Sequence, residues 1–332
     1  MDKVETKIGP VGVAGQVALA PMAGITDLAF RLIAKSFGAA LVYIPLISAK
    51  ALCLGSQRTL DLLASDPVER PLAVQIFGGD PETIARAVGM LNTYPVDIID
   101  INMGCPVPKV AGHASGASLL RTPKLAADIV RAAARATGLP VTVKLRSGWD
   151  ANSINALEVA QAVTEAGASA IAIHPRTKAQ GFSGRADWSL IRLLKENLNV
   201  PVIGSGDVCS PEDAGRMLNE TGCDLVMVAR AARGNPWILS RTTQFLETGA
   251  LPPEPTPHER VRILAQHCTL SANHDERGRA ALRMRKHAAW YIKGLKNAAA
   301  TRDKINHAGT IDEIVEICRG LEKEWHESCS LV

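Results

Sequence analysis

The sequence predicts an α/β fold, a (β/α)8 TIM barrel followed by a small all-helical C-terminal domain. Three observations carry this reading. Eight short segments are continuously apolar rather than alternating, as parallel strands covered by helices on their outer side are. Each is followed by a helical pattern, eight times over about 230 residues. A proline cluster then ends the alternation, and only helical spacing remains beyond it.

The strands are expected at Val17–Ala20, Ala40–Tyr43, Leu72–Ile76, Ile98–Ile101, Val141–Leu145, Ala170–Ile173, Pro201–Ser205 and Leu225–Val228. Three helix entries carry a capping side chain before a proline at the first helical position. Asp80-Pro81 precedes Thr83–Leu91, Thr122-Pro123 precedes Lys124–Ala136, and Ser210-Pro211 precedes Asp213–Asn219. Gly138, Gly167 and Gly222 fall where helices should stop before the next strand. At Leu251–Pro257 four prolines in six residues rule out a continuing helix and read as a stiff linker. Helices are expected beyond it at Pro257–Asn273, Arg277–Lys296 and Ile311–Trp325. The division is a barrel over 1–250, a linker over 251–257 and a helical domain over 258–332.

The chain has 332 residues, 47% of them hydrophobic, enough for a packed core and against a disordered chain. No apolar run approaches the roughly 18–20 residues of a membrane span. The charged start, Met1 to Glu5, does not look like a secretion signal. Seven cysteines, an odd number without a CxxC pair, predict reduced thiols, a cytoplasmic location and no metal site. The net charge of +4 is unevenly spread. Nine basic residues against one acidic one give 277–304 a net +8, which leaves −4 for everything else. Such asymmetry fits a polyanionic partner, with a solvated helix surface as the alternative.

Barrel chemistry occurs at the carboxyl ends of the strands. Small residues stand there after the seventh strand, at Ser205-Gly206-Asp207, and after the eighth, at Ala229-Arg230. Two adjacent turns of this kind, each before a helix start, form a phosphate cradle from backbone N–H groups, and Arg230 adds a charged contact. With Gln75, Lys144 and the tight Pro21-Met22-Ala23 turn, the cradle suggests flavin mononucleotide (FMN). Lys144 points inward from its strand and needs an anionic or carbonyl partner, either a flavin or a salt bridge to Asp100 or Asp207. Cys105 follows the fourth strand in a Gly-Cys-Pro turn aimed at the barrel mouth. With no base close in sequence to make it a nucleophile, its thiol (ordinary pKa about 8.5) suits a general acid. A buried apolar role fits Cys223 and Cys318 better. His174 lacks a second ligand for a metal. It is a hydrogen-bonding group for a flavin or substrate carbonyl, or a structural histidine.

Together these residues resemble the tRNA-dihydrouridine synthase family, nearest its bacterial B-type branch. The likeness runs from about residue 16 to 295 in six blocks: APMAGITD at 20–27, DINMGCPVPKV at 100–110, VKLRSGW at 143–149, HPRTKAQGFSG at 174–184, RAARGNPWI at 230–238 and RKHAAWYIKG at 285–294. The resemblance implies an FMN over the barrel mouth, reduced by NADPH or NADH, that reduces a flipped-out uridine in the D-loop of tRNA. It implies hydride delivery to C6, with Cys105 protonating C5. Pro21, Met22, Ala23, Gln75, Lys144, Ser205, Gly206, Asp207, Ala229 and Arg230 would hold FMN, with His174 near the ring. Asn102 and Arg176 would grip the uracil edge. Arg283, Arg285, Lys286 and Lys293 in the basic helical segment would hold tRNA, with the protein acting as a monomer.

The chain departs from that pattern at Ser205 and Ala229, where Asn and Gly are usual, and at Pro45-Leu46 in place of Glu-Met. The loop after Cys105 reads Gly116-Ala117-Ser118-Leu119-Leu120 with His113 just before it. Two other functions share parts of the reading. An FMN-dependent dehydrogenase of a free pyrimidine or dihydroorotate accounts for the flavin but not for the basic segment. A non-catalytic tRNA-binding protein accounts for the basic segment alone.

Overall fold

A computed structural model describes residues 5–112, 114–275 and 277–329. The backbone opens with a hairpin, β1 (Glu5–Ile8) and β2 (Val11–Ala14), that the sequence reading did not foresee. Eight parallel strands follow: β3 (Val17–Leu19), β4 (Val42–Ser48), β5 (Leu72–Phe77), β6 (Ile98–Met103), β7 (Val141–Arg146), β8 (Ala168–His174), β9 (Val202–Ser205) and β10 (Leu225–Val228). From β4 to β10 each pairs with the next, and β10 also pairs with β3. The last seam, β3 to β4, closes through Leu19 N–H to Leu41 O (2.9 Å) and Ala40 N–H to Val17 O (2.8 Å). The sheet is a closed (β/α)8 barrel with helices outside.

Side-chain alternation divides the apolar core. Val17, Leu19, Val74 and Ile99 face the helices, whereas Ala18, Tyr43, Ala73, Ile98 and Met227 fill the barrel interior. Ile8 and Val13 of the hairpin are fully buried in that interior set. The hairpin turn lies against Pro140 and Ser169, where β7 and β8 begin, so it covers the amino end of the barrel.

Several expectations need correction. β4 begins later and runs further than Ala40–Tyr43, with an irregularity between Ile44 and Ile47 where Leu46 has a positive φ of 32°. Asp80 and Ser210 cap their helices, but Thr122 accepts no capping hydrogen bond. Gly167 and Gly222 are left-handed, as a terminating glycine should be, while Gly138 is not, because its helix has already ended at Arg135.

Beyond the barrel lie four helices, Pro257–Asn273, Ala280–Tyr291, Ala298–His307 and Ile311–Cys329. The third was not anticipated, and the second is shorter than 277–296. The proline segment does not stand free. Arg241 donates to Pro252 O and pairs with Glu254, and Pro257 is the first residue of its helix, which Thr256 caps. The helices share a core with the barrel through Ile33 and Trp237. No helix among the described residues is long and apolar enough to cross a membrane.

Candidate active site

The carboxyl ends of the strands open into a cavity of about 420 Å³, the size of an ordinary small-molecule site. Cys105, Asn102 and all eleven residues expected to hold a cofactor line it. The Pro21-Met22-Ala23 turn is tied by Thr26, whose hydroxyl accepts Met22 N–H at 3.0 Å, and Asp27 then caps the next helix.

On the neighbouring strands a hydrogen-bonded chain runs inward to outward. Asp100 lies fully buried and accepts from Thr142 Oγ1 (2.6 Å) and Gln75 Nε2 (2.7 Å). Gln75 Oε1 is thereby turned to accept Asn102 Nδ2 at 2.8 Å. Asn102 Oδ1 accepts the backbone N–H groups of Cys105 (2.9 Å) and Gly104 (3.2 Å). Burial raises the Asp100 carboxyl to about 6, opposed by the hydrogen bonds from Thr142 and Gln75 and by Lys144.

The Cys105 turn is gripped on every side. Arg146 Nε donates to Gly104 O (2.8 Å) and Ala117 N–H to Cys105 O (3.1 Å). Gly116 has φ +57°, and a Cβ there would fall 2.9 Å from Val110 and 3.0 Å from Cys105 O, so only glycine lets that loop close on the turn. The thiol therefore occupies a fixed place in the cavity wall.

Lys144 makes neither an ion pair nor a hydrogen bond among the described residues, so the salt bridge to Asp100 or Asp207 does not form. Burial, reinforced by Arg146, lowers its ammonium to about 8 despite the attraction of Asp100. His174 is pushed down to about 2 by burial and by Lys144, Arg146 and Arg176. It is a neutral imidazole. Arg176 Nη1 lies 3.3 Å from its Nε2, and a guanidinium only donates, which leaves the imidazole proton on Nδ1.

After β9, Gly206 (φ +103°) and Asp207 (φ +59°) both have positive φ and turn the chain along the cavity wall, where a glycine lets a ligand approach the backbone closely. A Cβ on Gly206 would lie 2.7 Å from the His174 ring. The adjoining β10 exit carries Ala229 and Arg230, whose side chain is 45% exposed at the cavity edge. The Ser205 hydroxyl donates to Met227 O (3.2 Å), so at this departure from the family pattern the side chain ties β9 to β10 and leaves the turn's backbone to the ligand.

Two residues expected at the substrate are held by the protein's own groups. Arg176 is 2% exposed and does not line the cavity. Its guanidinium donates to Ser183 O (3.0 Å), Gly184 O (2.6 Å) and Asp207 Oδ2 (2.8 Å), so it lies beneath the mouth holding a loop and the cradle together. Asn102 reaches the cavity, and its amide bonds Gln75 and the Cys105 turn.

The basic helical residues divide as well. Arg285 donates twice to Ala308 O (2.9 and 2.7 Å), and Arg283 pairs with Asp275 (2.8 Å). Lys286 donates to Gly24 O, in the loop carrying Met22, and Arg277 pairs with Asp61 of the barrel. These cations organise the helices and dock them onto the barrel. Arg279, Lys293, Lys296, Arg302 and Lys304 are exposed.

Three other cavity residues, to which the sequence reading gave no role, bear on the site. Arg146 is lowered to about 10, chiefly by burial. Leu46 reaches the edge through its positive φ, and Phe182 stands on the loop after β8. His113 lies outside the described residues. No group of three or more metal-ligating side chains occurs among the described residues.

A family model described as dihydrouridine synthase (Dus) matches residues 18–325. The chain is 38% identical to a probable tRNA-dihydrouridine synthase of Rickettsia conorii, over 90% of this chain and 91% of that one. It is 36% identical to tRNA-dihydrouridine synthase B of Pseudomonas aeruginosa, with 92% of each chain covered. It is 38% identical to the protein of that name from Xanthomonas campestris, with 94% of each covered. Among solved structures, a histamine dehydrogenase from Rhizobium sp. 4-9 superimposes with a TM-score of 0.57 at 13% identity over 80% of this chain. The chain spans half the length of that protein, and the likeness is one of fold.

Proposed function

The chain belongs to the dihydrouridine synthase family, and we propose that its cavity reduces uridine to 5,6-dihydrouridine in the D-loop of tRNA, using FMN that NADPH or NADH re-reduces. The observation that carries this reading is one cavity holding Cys105, an unpaired Lys144 and the Gly206–Asp207 turn together. The ammonium of Lys144, half-buried at the cavity floor with no protein partner, is answered by an anionic or carbonyl-rich ring. The turn and Arg230 suit the phosphate of FMN, and neutral His174 offers a hydrogen bond without a competing charge.

When bound, the flavin supplies a hydride to C6 of the uracil ring. Cys105 gives its proton to C5, so the C5–C6 double bond becomes single, and the thiolate left behind regains a proton from solvent. Asn102, Arg146 and Gly116 keep the thiol where C5 must arrive, the positional component of catalysis. A base reaches this depth only by leaving its stack. The exposed cations of the helical segment, Lys293 among them, hold the phosphate backbone, which supplies affinity without sequence information. The protein acts as a cytoplasmic monomer in this reading.

The deciding experiment incubates the flavin-loaded protein and NADPH with tRNA lacking dihydrouridine, beside free uracil and orotate. Dihydrouridine mapped to the D-loop and no turnover of the free compounds is expected. Turnover of a free pyrimidine alone overturns the reading, as does tRNA binding without any flavin uptake.

A further inference from the structure

Phe182 is one of the few large apolar side chains left open, 57% exposed, and it stands at the cavity rather than on a neutral surface. Its place is built. Arg146 Nη1 donates to Gly181 O (2.8 Å) and Arg176 Nε to Ser183 O (3.0 Å), so the carbonyls on either side of Phe182 are pinned by two guanidinium groups rooted in the barrel wall. Arg146 also donates to Thr177 O (3.0 Å), Arg176 to Gly184 O, and Thr177 and Gln180 bond reciprocally across the loop base. A single exposed ring is ordinary on a protein surface, and this one is set apart by the pinned loop that holds it at the cavity.

The surroundings say what kind of partner. The Arg230 guanidinium carbon lies 4.6 Å and that of Arg146 5.6 Å from the ring centroid, with His174 tilted at 6.1 Å. With these neighbours in place the residue keeps more than half of its surface exposed. A rigid aromatic ring beside cationic groups is how proteins stack an unpaired nucleobase, the ring taking the face and the cations drawing in the nucleotide's phosphates. Arg146 links the two ends of the arrangement, since the guanidinium that pins Gly181 O also holds Gly104 O beside Cys105. One buried side chain thus braces both the loop that carries the ring and the turn that carries the thiol.

From this we infer that Phe182 is a positioning residue for the target nucleotide: the extruded pyrimidine is seated against its ring while Cys105 meets C5. The inference rests on the function proposed above. Most RNA affinity comes from elsewhere, so losing the ring shows in the rate at saturating tRNA more than in KM.

The test compares Phe182→Ala, Phe182→Leu and Phe182→Tyr by flavin content, thermal midpoint, flavin reduction by NADPH and reoxidation of the reduced flavin by tRNA. Ala and Leu should each slow saturating reoxidation by about 10- to 100-fold, with KM for tRNA within about threefold. Tyr should restore the rate to within about twofold, and all three should bind and reduce flavin like the wild type. Loss of flavin in Phe182→Ala overturns the inference by making the ring a cofactor cover. Unchanged reoxidation, or full activity of Phe182→Leu, overturns it too. Wild-type flavin that tRNA never reoxidises brings down the functional reading along with it.

Discussion

Asn102 Oδ1 accepts the backbone N–H of Cys105 at 2.9 Å, so the proposed proton donor takes its position from a side chain at the end of the preceding strand. Replacing Asn102 with Ala leaves that N–H, and Gln75 Oε1, without partners, at a cost of about 1–3 kcal/mol in stability. Saturating turnover on tRNA should drop about 10- to 100-fold while tRNA affinity stays within about twofold. Denaturant melting and steady-state kinetics on one preparation check both; an equal loss of affinity would place Asn102 on the substrate after all.

For the thiol itself, Cys105→Ala should retain flavin and lower turnover by about 10²- to 10⁴-fold, the usual worth of a positioned general acid. Reoxidation of the reduced flavin by tRNA, followed in a single turnover, isolates this step. Flavin loss would instead give Cys105 a purely architectural part.

Lys144 makes the flavin-free protein sensitive to pH in a definite direction. Its ammonium is lowered from 10.5 to about 8 in the fold, so between those values the unfolded chain holds a proton that the native one has shed. Stability must therefore rise as pH climbs from about 8 to about 10.5, by up to about 3 kcal/mol, and the penalty is constant below that window. Lys144→Met lacks this contribution. The difference in unfolding free energy between flavin-free wild type and Lys144→Met, measured across the window, should shrink towards zero; a pH-independent difference contradicts the assignment.

Arg285 and Lys293 should respond differently although both are basic and close in sequence. Arg285→Ala frees the Ala308 carbonyl and should destabilise the helical region by about 1–3 kcal/mol. Lys293→Ala should leave stability unchanged, weaken tRNA binding uniformly and lessen the salt dependence of log K by a little under one. Binding titrations at several salt concentrations, with melting curves, separate the two.

Much of this site was legible in the sequence because barrel strands are short, apolar and end together. A Lys at 144 or a Gln at 75 inside such a strand is already placed near the mouth, and a Ser-Gly-Asp exit after β9 is placed beside the Ala-Arg exit after β10. What the sequence did not disclose was direction. Arg176 stands two residues past the end of β8, as a substrate ligand would, yet Ser183 O, Gly184 O and Asp207 draw it beneath the loop. Phe182 went unnoticed because its orientation depends on Arg146, on another strand 36 residues away. The opening hairpin escaped for a plainer reason: two four-residue strands with five of their eight residues exposed or partly so carry little apolar signal.

That hairpin has a consequence for traffic. With Ile8 and Val13 stoppering one end of the cylinder, nothing passes through it, and every visitor to the reactive centre comes and goes by a single doorway. On the function proposed above, the donor of electrons and the RNA both approach through that one opening.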